Sequence, residues 1–225
     1  AAVALAIGLP GGGGGGGSPT APADARAALV SAAERTTAFT SGHIVWKMDY
    51  NQPSTGAPGV NDVNLELTND FRYEGSDLDL VGRSRDRAPG SKRPNSSHGV
   101  RVVGGQTYWR YNDGPFELDK NPSSDGAAGV HIRLEAADAL AAAARAAADV
   151  QQTAVDGGTQ YTATVAAADV PDQFRPPLKR TADTVTITAI ADDDDALRSV
   201  ALRAPGEAVD VTFSEMGQPQ GIVAP

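Results

Sequence analysis

Thr184-Val185-Thr186-Ile187-Thr188, Leu197 through Leu202, and Val209-Asp210-Val211-Thr212-Phe213 decide the fold. In each run apolar and polar residues alternate, so each reads as a strand with one face in the core and one in water. Asp192–Asp195 separates the first run from the second, and four successive carboxylates fit a solvated hairpin turn. Connections this short join antiparallel neighbours, because parallel strands need a crossover of a dozen residues or more. The end of the chain is therefore an antiparallel meander with Val185, Ile187, Val200, Leu202, Val211 and Phe213 on its inner side.

The same period runs upstream. Ile44, Trp46, Met48 and Tyr50 share one face of a strand, and His43, Lys47 and Asp49 share the other. Val63, Leu65 and Leu67 form a second strand, with a turn expected at Asn69-Asp70. Phe71, Tyr73, Leu78 and Leu80 read as a third strand, bulged at Gly75. The Pro/Gly-rich segment Arg83 to Asn95, with Arg83, Arg85, Arg87, Lys92 and Arg93, reads as a long exposed loop. Val100 to Val103 and Gln106 to Tyr111 flank a Gly104-Gly105 hairpin turn. Gln151–Val155 and Gln160–Ala167 pair across Asp156-Gly157-Gly158, and a proline-bearing loop follows from Asp169 to Arg180. Gln220 to Val223 closes the chain.

Only two stretches carry a helical period. Asp24 caps a helix with Ala25, Ala28, Leu29, Ala32 and Ala33 on its apolar side, ending near Ala38. A second, Ala-rich helix is expected over about Ile132 to Val150. Many strands and two helices give an α+β fold: one strongly curved antiparallel sheet, a half-barrel, with the helices on its concave face. Residues 24–225 make up this single domain. Residues 1–23 are a flexible tail: the apolar run Ala1 to Leu9 reads as the residue of a signal peptide, and seven glycines, Gly11 to Gly17, extend it.

Composition narrows the function. The chain has 225 residues, no cysteine and a net charge of −9. Without thiols there is no zinc ribbon, thiol nucleophile or disulfide framework. The acidic balance argues against a nucleic-acid partner. His43, His98 and His131 lie in separate elements without a ligand motif, so no metal is expected, and the glycine run lacks the features of a phosphate loop. No nucleophile elbow is present. No cofactor or catalytic residue is assigned, and the protein is not read as an enzyme. Two surface features stay open: the acidic turn against a calcium loop, and the basic loop against a contact for anionic headgroups.

The informative feature is the apolar face of Ile44, Trp46, Met48, Leu65, Leu67, Phe71, Tyr73, Val185, Ile187, Val200, Leu202, Val211 and Phe213. Beneath Ala-rich helices these side chains line either a filled core or a partly open cavity for a ligand. A greasy cavity gains roughly 0.8 kcal/mol per buried CH2, enough to hold a lipid.

The order of elements resembles the LolA-like superfamily, and within it the actinobacterial LppX/LprG-type lipoproteins. Three stretches carry the resemblance: Val100 to Arg110 with its small hairpin before Tyr108, Val185 to Asp192 with its return Leu197-Arg198-Ser199-Val200, and Val209 to Pro219 with Ile222 and Pro225, which looks like the family's final hairpin. The resemblance implies an extracytoplasmic protein, secreted or associated with the cell envelope. It implies a monomeric carrier or chaperone whose partner is a lipid or lipid-like amphiphile, with the membrane surface as a second partner. The alternative is an envelope sensory or protein-interaction domain with a filled core. The family's lipid-bearing cysteine, expected near Leu9 to Gly11, is not in this sequence. That leaves two expectations, an anchor lost from this chain or a freely secreted relative.

Overall fold

The computed structural model describes residues 22–52, 63–87, 91, 94–120, 139–147, 149–170 and 183–225. The expected tail lies almost wholly outside them, as do the start of the second helix, Lys92, Arg93 and most of the proline-bearing loop. The elements are α1 (Pro22–Thr37), β1 (Ser41–Gln52), β2 (Val63–Glu74), β3 (Asp77–Asp86), β4 (Ser96–Val103), β5 (Gln106–Tyr111), β6 (Glu117–Leu118), β7 (Asp149–Val155), β8 (Gly158–Ala166), β9 (Thr184–Ala191), β10 (Leu197–Ala204) and β11 (Glu207–Ser214). A second helical segment, α2, is described over 139–146.

All eleven strands form one sheet in the order β6-β5-β4-β3-β2-β1-β11-β10-β9-β8-β7. Every neighbouring pair is a sequence-consecutive hairpin except β1–β11. The sheet is thus two meanders, β1–β6 and β7–β11, joined along one seam. In that seam Ile44 faces Phe213, Trp46 faces Val211 and Met48 faces Val209. The outer strands β6 and β7 do not pair with each other, so the barrel stays open.

Helix α1 buries Ala25, Leu29, Ala32 and Ala33 completely or nearly so, the i, i+4, i+7, i+8 stripe of one helical face. It packs on β7, β9 and β10. Pro22 opens it, where proline's missing N–H is no loss, and Asp24 sits in the first turn. The Thr36 hydroxyl donates to Ala32 O at 2.8 Å and accepts from the Leu197 amide at 2.8 Å, which pins the end of α1 to the start of β10. Arg26 donates to Ala147 O at 2.5 Å, and Arg145 pairs with Glu34 at 2.5 Å, so the C-terminal end of α2 is tied to α1 at two points.

Several expectations are corrected. β2 runs unbroken from Val63 to Glu74, so Asn69-Asp70 is not a turn. Pairing with β1 on one side and β3 on the other outweighs the local turn preference of those two residues. The turn falls instead at Gly75, which takes the left-handed φ of 58° that suits glycine. Arg83 and Arg85 are strand residues of β3, not loop. α2 ends before β7 begins at Asp149, earlier than expected. The final segment is not a hairpin strand: the Gln220 and Gly221 amides donate to Glu74 Oε2 at 3.0 and 3.1 Å, laying the tail across the end of β2.

The acidic turn closes on itself. Asp192 Oδ1 accepts from the amides of Asp194 at 3.0 Å and Ala196 at 2.9 Å, and Arg35 donates to Asp194 O. The Asp192 carboxylate thus acts as an acceptor for backbone, an Asx-type turn.

Candidate functional site

The concave face is best followed rung by rung across the sheet. One rung runs Val150–Ala163–Ile187–Leu202–Val209–Met48–Leu67–Ser84–Ser96, each residue opposite the next. From Val150 to Val209 no member is more than 2% exposed. At Met48 and Leu67 the burial becomes partial, Ser84 is half-buried and Ser96 is exposed. The adjacent rung behaves alike: Tyr161, Ala189, Val200, Val211 and Trp46 are buried, then Asn69 is half-buried, and His98 and Tyr111 are exposed. Tyr111 reaches 76% exposure. The rung beyond that, Phe213–Ile44–Phe71–Leu80–Val100, is buried throughout, ending at a half-buried Trp109 whose Nε1 donates to Asp119 at 3.0 Å.

The two meanders therefore differ. The β7–β11 half is buried, with α1 packed on β7, β9 and β10 and α2 residues in the same core. The β1–β5 half is sealed at one end and uncovered at the other, where Met48, Leu65, Leu67, Asn69, Ser84, His98 and Tyr111 form an open corner. Its chemistry is mixed. Met48, Leu65 and Leu67 supply an apolar floor. Ser84 and Ser96 share a hydrogen bond of 2.7 Å, and Asn69 and His98 add further polar groups. The His98 ring lies directly over Gly82: a Cβ there would sit 2.2 Å from the imidazole, so the flat packing requires glycine.

Of the thirteen residues singled out in the sequence, Ile44, Trp46, Phe71, Tyr73, Val185, Ile187, Val200, Leu202, Val211 and Phe213 are buried on one face. Met48, Leu65 and Leu67 lie at the open corner. Sequence reading missed Asn69 and Ser84 because it broke β2 at Asn69 and ended β3 before Arg83, and His98 because it began the next strand at Val100; Tyr111 was placed on a strand but not at the site. The signal was present: Leu65, Leu67, Asn69, Phe71 and Tyr73 keep a strict period of two.

The outer face brings together a constellation that the sequence did not join. His43 Nε2 lies 2.8 Å from Asp70 Oδ1, and Ser214 Oγ lies 3.2 Å from His43 Nδ1. A serine, a histidine and an aspartate in contact invite a catalytic reading. The surroundings argue otherwise. The trio sits on the outward face of three adjacent strands, and the Ser214 hydroxyl also reaches back to His43 O at 3.5 Å. The nearby amides of Gly217 and Gln218 are spent on Ser41 O and Glu215 O, so they do not form an oxyanion hole. The trio instead links β2, β1 and β11 across the seam, opposite the apolar pairs on the inner face.

An open antiparallel half-barrel with helices over its concave face is the LolA-like fold. Among solved structures the chain is similar to LprF from Mycobacterium bovis, at 18% identity, covering 93% of this chain and 99% of that one, with a TM-score of 0.58. It is also similar to the lipoprotein LppX from Mycobacterium tuberculosis, at 14% identity, covering 90% and 100%, with a TM-score of 0.46. The likeness to LprF shows that the chain takes the fold expected from its resemblance to LppX/LprG-type proteins. No family model and no curated protein sequence matches the chain.

Proposed function

We propose that this protein is an extracytoplasmic carrier or chaperone for a lipid or other amphiphile, which it holds at the open corner of its concave face. The observation that carries the reading is the rung from Val150 to Ser96, fully buried as far as Val209, only partly buried at Met48 and Leu67, and exposed at Ser96. An apolar floor beside serine, asparagine and histidine suits a molecule with a tail and a head. Roughly ten methylenes laid on such a surface contribute about 8 kcal/mol, before the cost of ordering them. The shared fold with LprF supports the reading. Among the described residues no helix is long and apolar enough to cross a membrane.

Native mass spectrometry of the protein after incubation with phospholipids and fatty acids tests it. The expected result is a retained amphiphile, lost in Leu67→Asp. A wild-type protein that takes up no amphiphile overturns the reading. The second reading, a sensory or protein-interaction domain, draws on the filled β7–β11 half, where Val209, Ile187 and Leu202 leave no room above the sheet. It predicts capture of a protein partner that Leu67→Asp leaves unchanged.

A further inference from the structure

A groove of about 510 Å3 opens at the same end of the sheet as the uncovered corner. It is lined by Thr68, Arg83, Arg85, Ser97 and Asn112, with Glu66 and Asp113 as its acidic members. The strand period places Thr68 opposite Arg83 and Glu66 opposite Arg85, on the face away from the core. Glu66 is taken by Arg87, which also reaches Asp49 at 3.5 Å. Among the described residues neither Arg83 nor Arg85 has an ion-pair partner. Elsewhere on the same outer face Arg101 pairs with Asp79 at 2.6 Å, and the Arg101 and Arg110 guanidiniums each stack on Phe116 at 4.7 Å, while Arg72 is exposed outside the groove.

We propose that this groove binds the phosphate of an anionic phospholipid headgroup and docks this end of the sheet onto a membrane surface. Two unpaired guanidiniums side by side, with the Thr68 and Ser97 hydroxyls and the Asn112 amide around them, are the donors a phosphate oxygen set requires. The occupant is argued from this charge complementarity and from position. Ser84 and Ser96 line the groove and also end the rung that passes through Met48 and Leu67, so the groove lies at the same strand ends as the uncovered corner, on the opposite face of the sheet. The attraction must be local, because a chain with a net charge of −9 is repelled as a whole by an anionic surface. Docking rests on the carrier reading only for its purpose, and it is measured separately from uptake.

Flotation with phosphatidylglycerol vesicles and with phosphatidylcholine vesicles tests the proposal. Binding to the anionic vesicles is expected to exceed binding to the zwitterionic ones and to fall about tenfold or more in Arg83→Gln/Arg85→Gln. It is expected to collapse at 1 M salt, where the Debye length is ~3 Å. The control Arg72→Gln/Arg198→Gln removes the same charge from exposed strand positions outside the groove, and should change binding by less than about twofold. Thermal unfolding of both double variants verifies that they are folded. Absence of binding to phosphatidylglycerol, or equal losses in the two double variants, overturns the proposal. So does Arg83/Arg85-dependent binding of inorganic phosphate, read by calorimetry, without vesicle binding: the groove would then be a site for free phosphate. Amphiphile uptake without flotation overturns docking and leaves the carrier reading standing; flotation without uptake does the reverse.

Discussion

The β7–β11 half and the β1–β5 half are built from the same alternating strands, yet one is closed and the other is not. In the first, small residues in α1 let the helix pack on β7, β9 and β10, and Ile187, Leu202 and Val209 are fully buried. In the second, the sheet continues past the helix, and its inward positions change from Ile44 and Phe71 to Asn69, Ser84 and His98. The sequence thus stops specifying a core at the place where cover ends. The lesson is that strand periodicity reports which face is inward, while the chemistry of that face reports whether anything covers it.

The comparison breaks most visibly under truncation. Leu202→Ala in the sealed half should lose about 2–5 kcal/mol of unfolding free energy, because a fully enclosed site relaxes poorly around a cavity. Leu67→Ala at the open corner should lose about 1 kcal/mol or less. Urea denaturation of both variants measures the difference, and equal losses would mean the corner is as packed as the core.

Next in size is the joint between α1 and β10. Thr36→Val keeps the shape but leaves the buried Leu197 amide without its 2.8 Å acceptor, a loss of about 1–3 kcal/mol. Hydrogen exchange should show the Leu197 amide opening far faster than amides of β2. The seam clamp comes third. His43→Phe removes the links to Asp70 and Ser214 while filling similar space, and should cost about 1 kcal/mol in the same denaturation assay. A loss of several kcal/mol would give the trio a larger part in holding the halves together than its half-exposed setting suggests.

The smallest effect belongs to Tyr161. Burial, and secondarily the Asp195 carboxylate, raise its pKa above the ordinary value of 10.0. The neutral phenol is the form the folded state favours, so this contribution is fully present below pH 10 and is lost as pH rises through the folded-state value. The thermal midpoint should fall more steeply above pH 10 in the wild type than in Tyr161→Phe, and more gently in Asp195→Asn.

How much of this was legible follows from where the information lies. The inward sets of β1, β9, β10 and β11 are local, and Ile44, Trp46, Val185, Ile187, Leu202 and Phe213 could be assigned from spacing alone. So could the stripe Ala25, Leu29, Ala32 and Ala33. Asn69-Asp70 misled because turn preference is local too, and only the double pairing of β2 overrides it. Arg83 and Arg85 resembled loop residues because their strand is polar on both faces near its end. The seam itself had no local signature: nothing in the pattern of His43 announces Ser214.

That seam has a consequence for how the molecule comes into being. His43 and Ser214 are 171 positions apart in sequence, yet they sit side by side at the centre of the sheet. During synthesis β1 emerges well before β11 and waits for it before its second edge is covered. Until then the chain carries an unpaired edge bearing Ile44, Trp46 and Met48, the kind that recruits neighbouring chains. The finished sheet is closed where β1 meets β11 and open between β6 and β7, so its maturation is a late, centre-locking event.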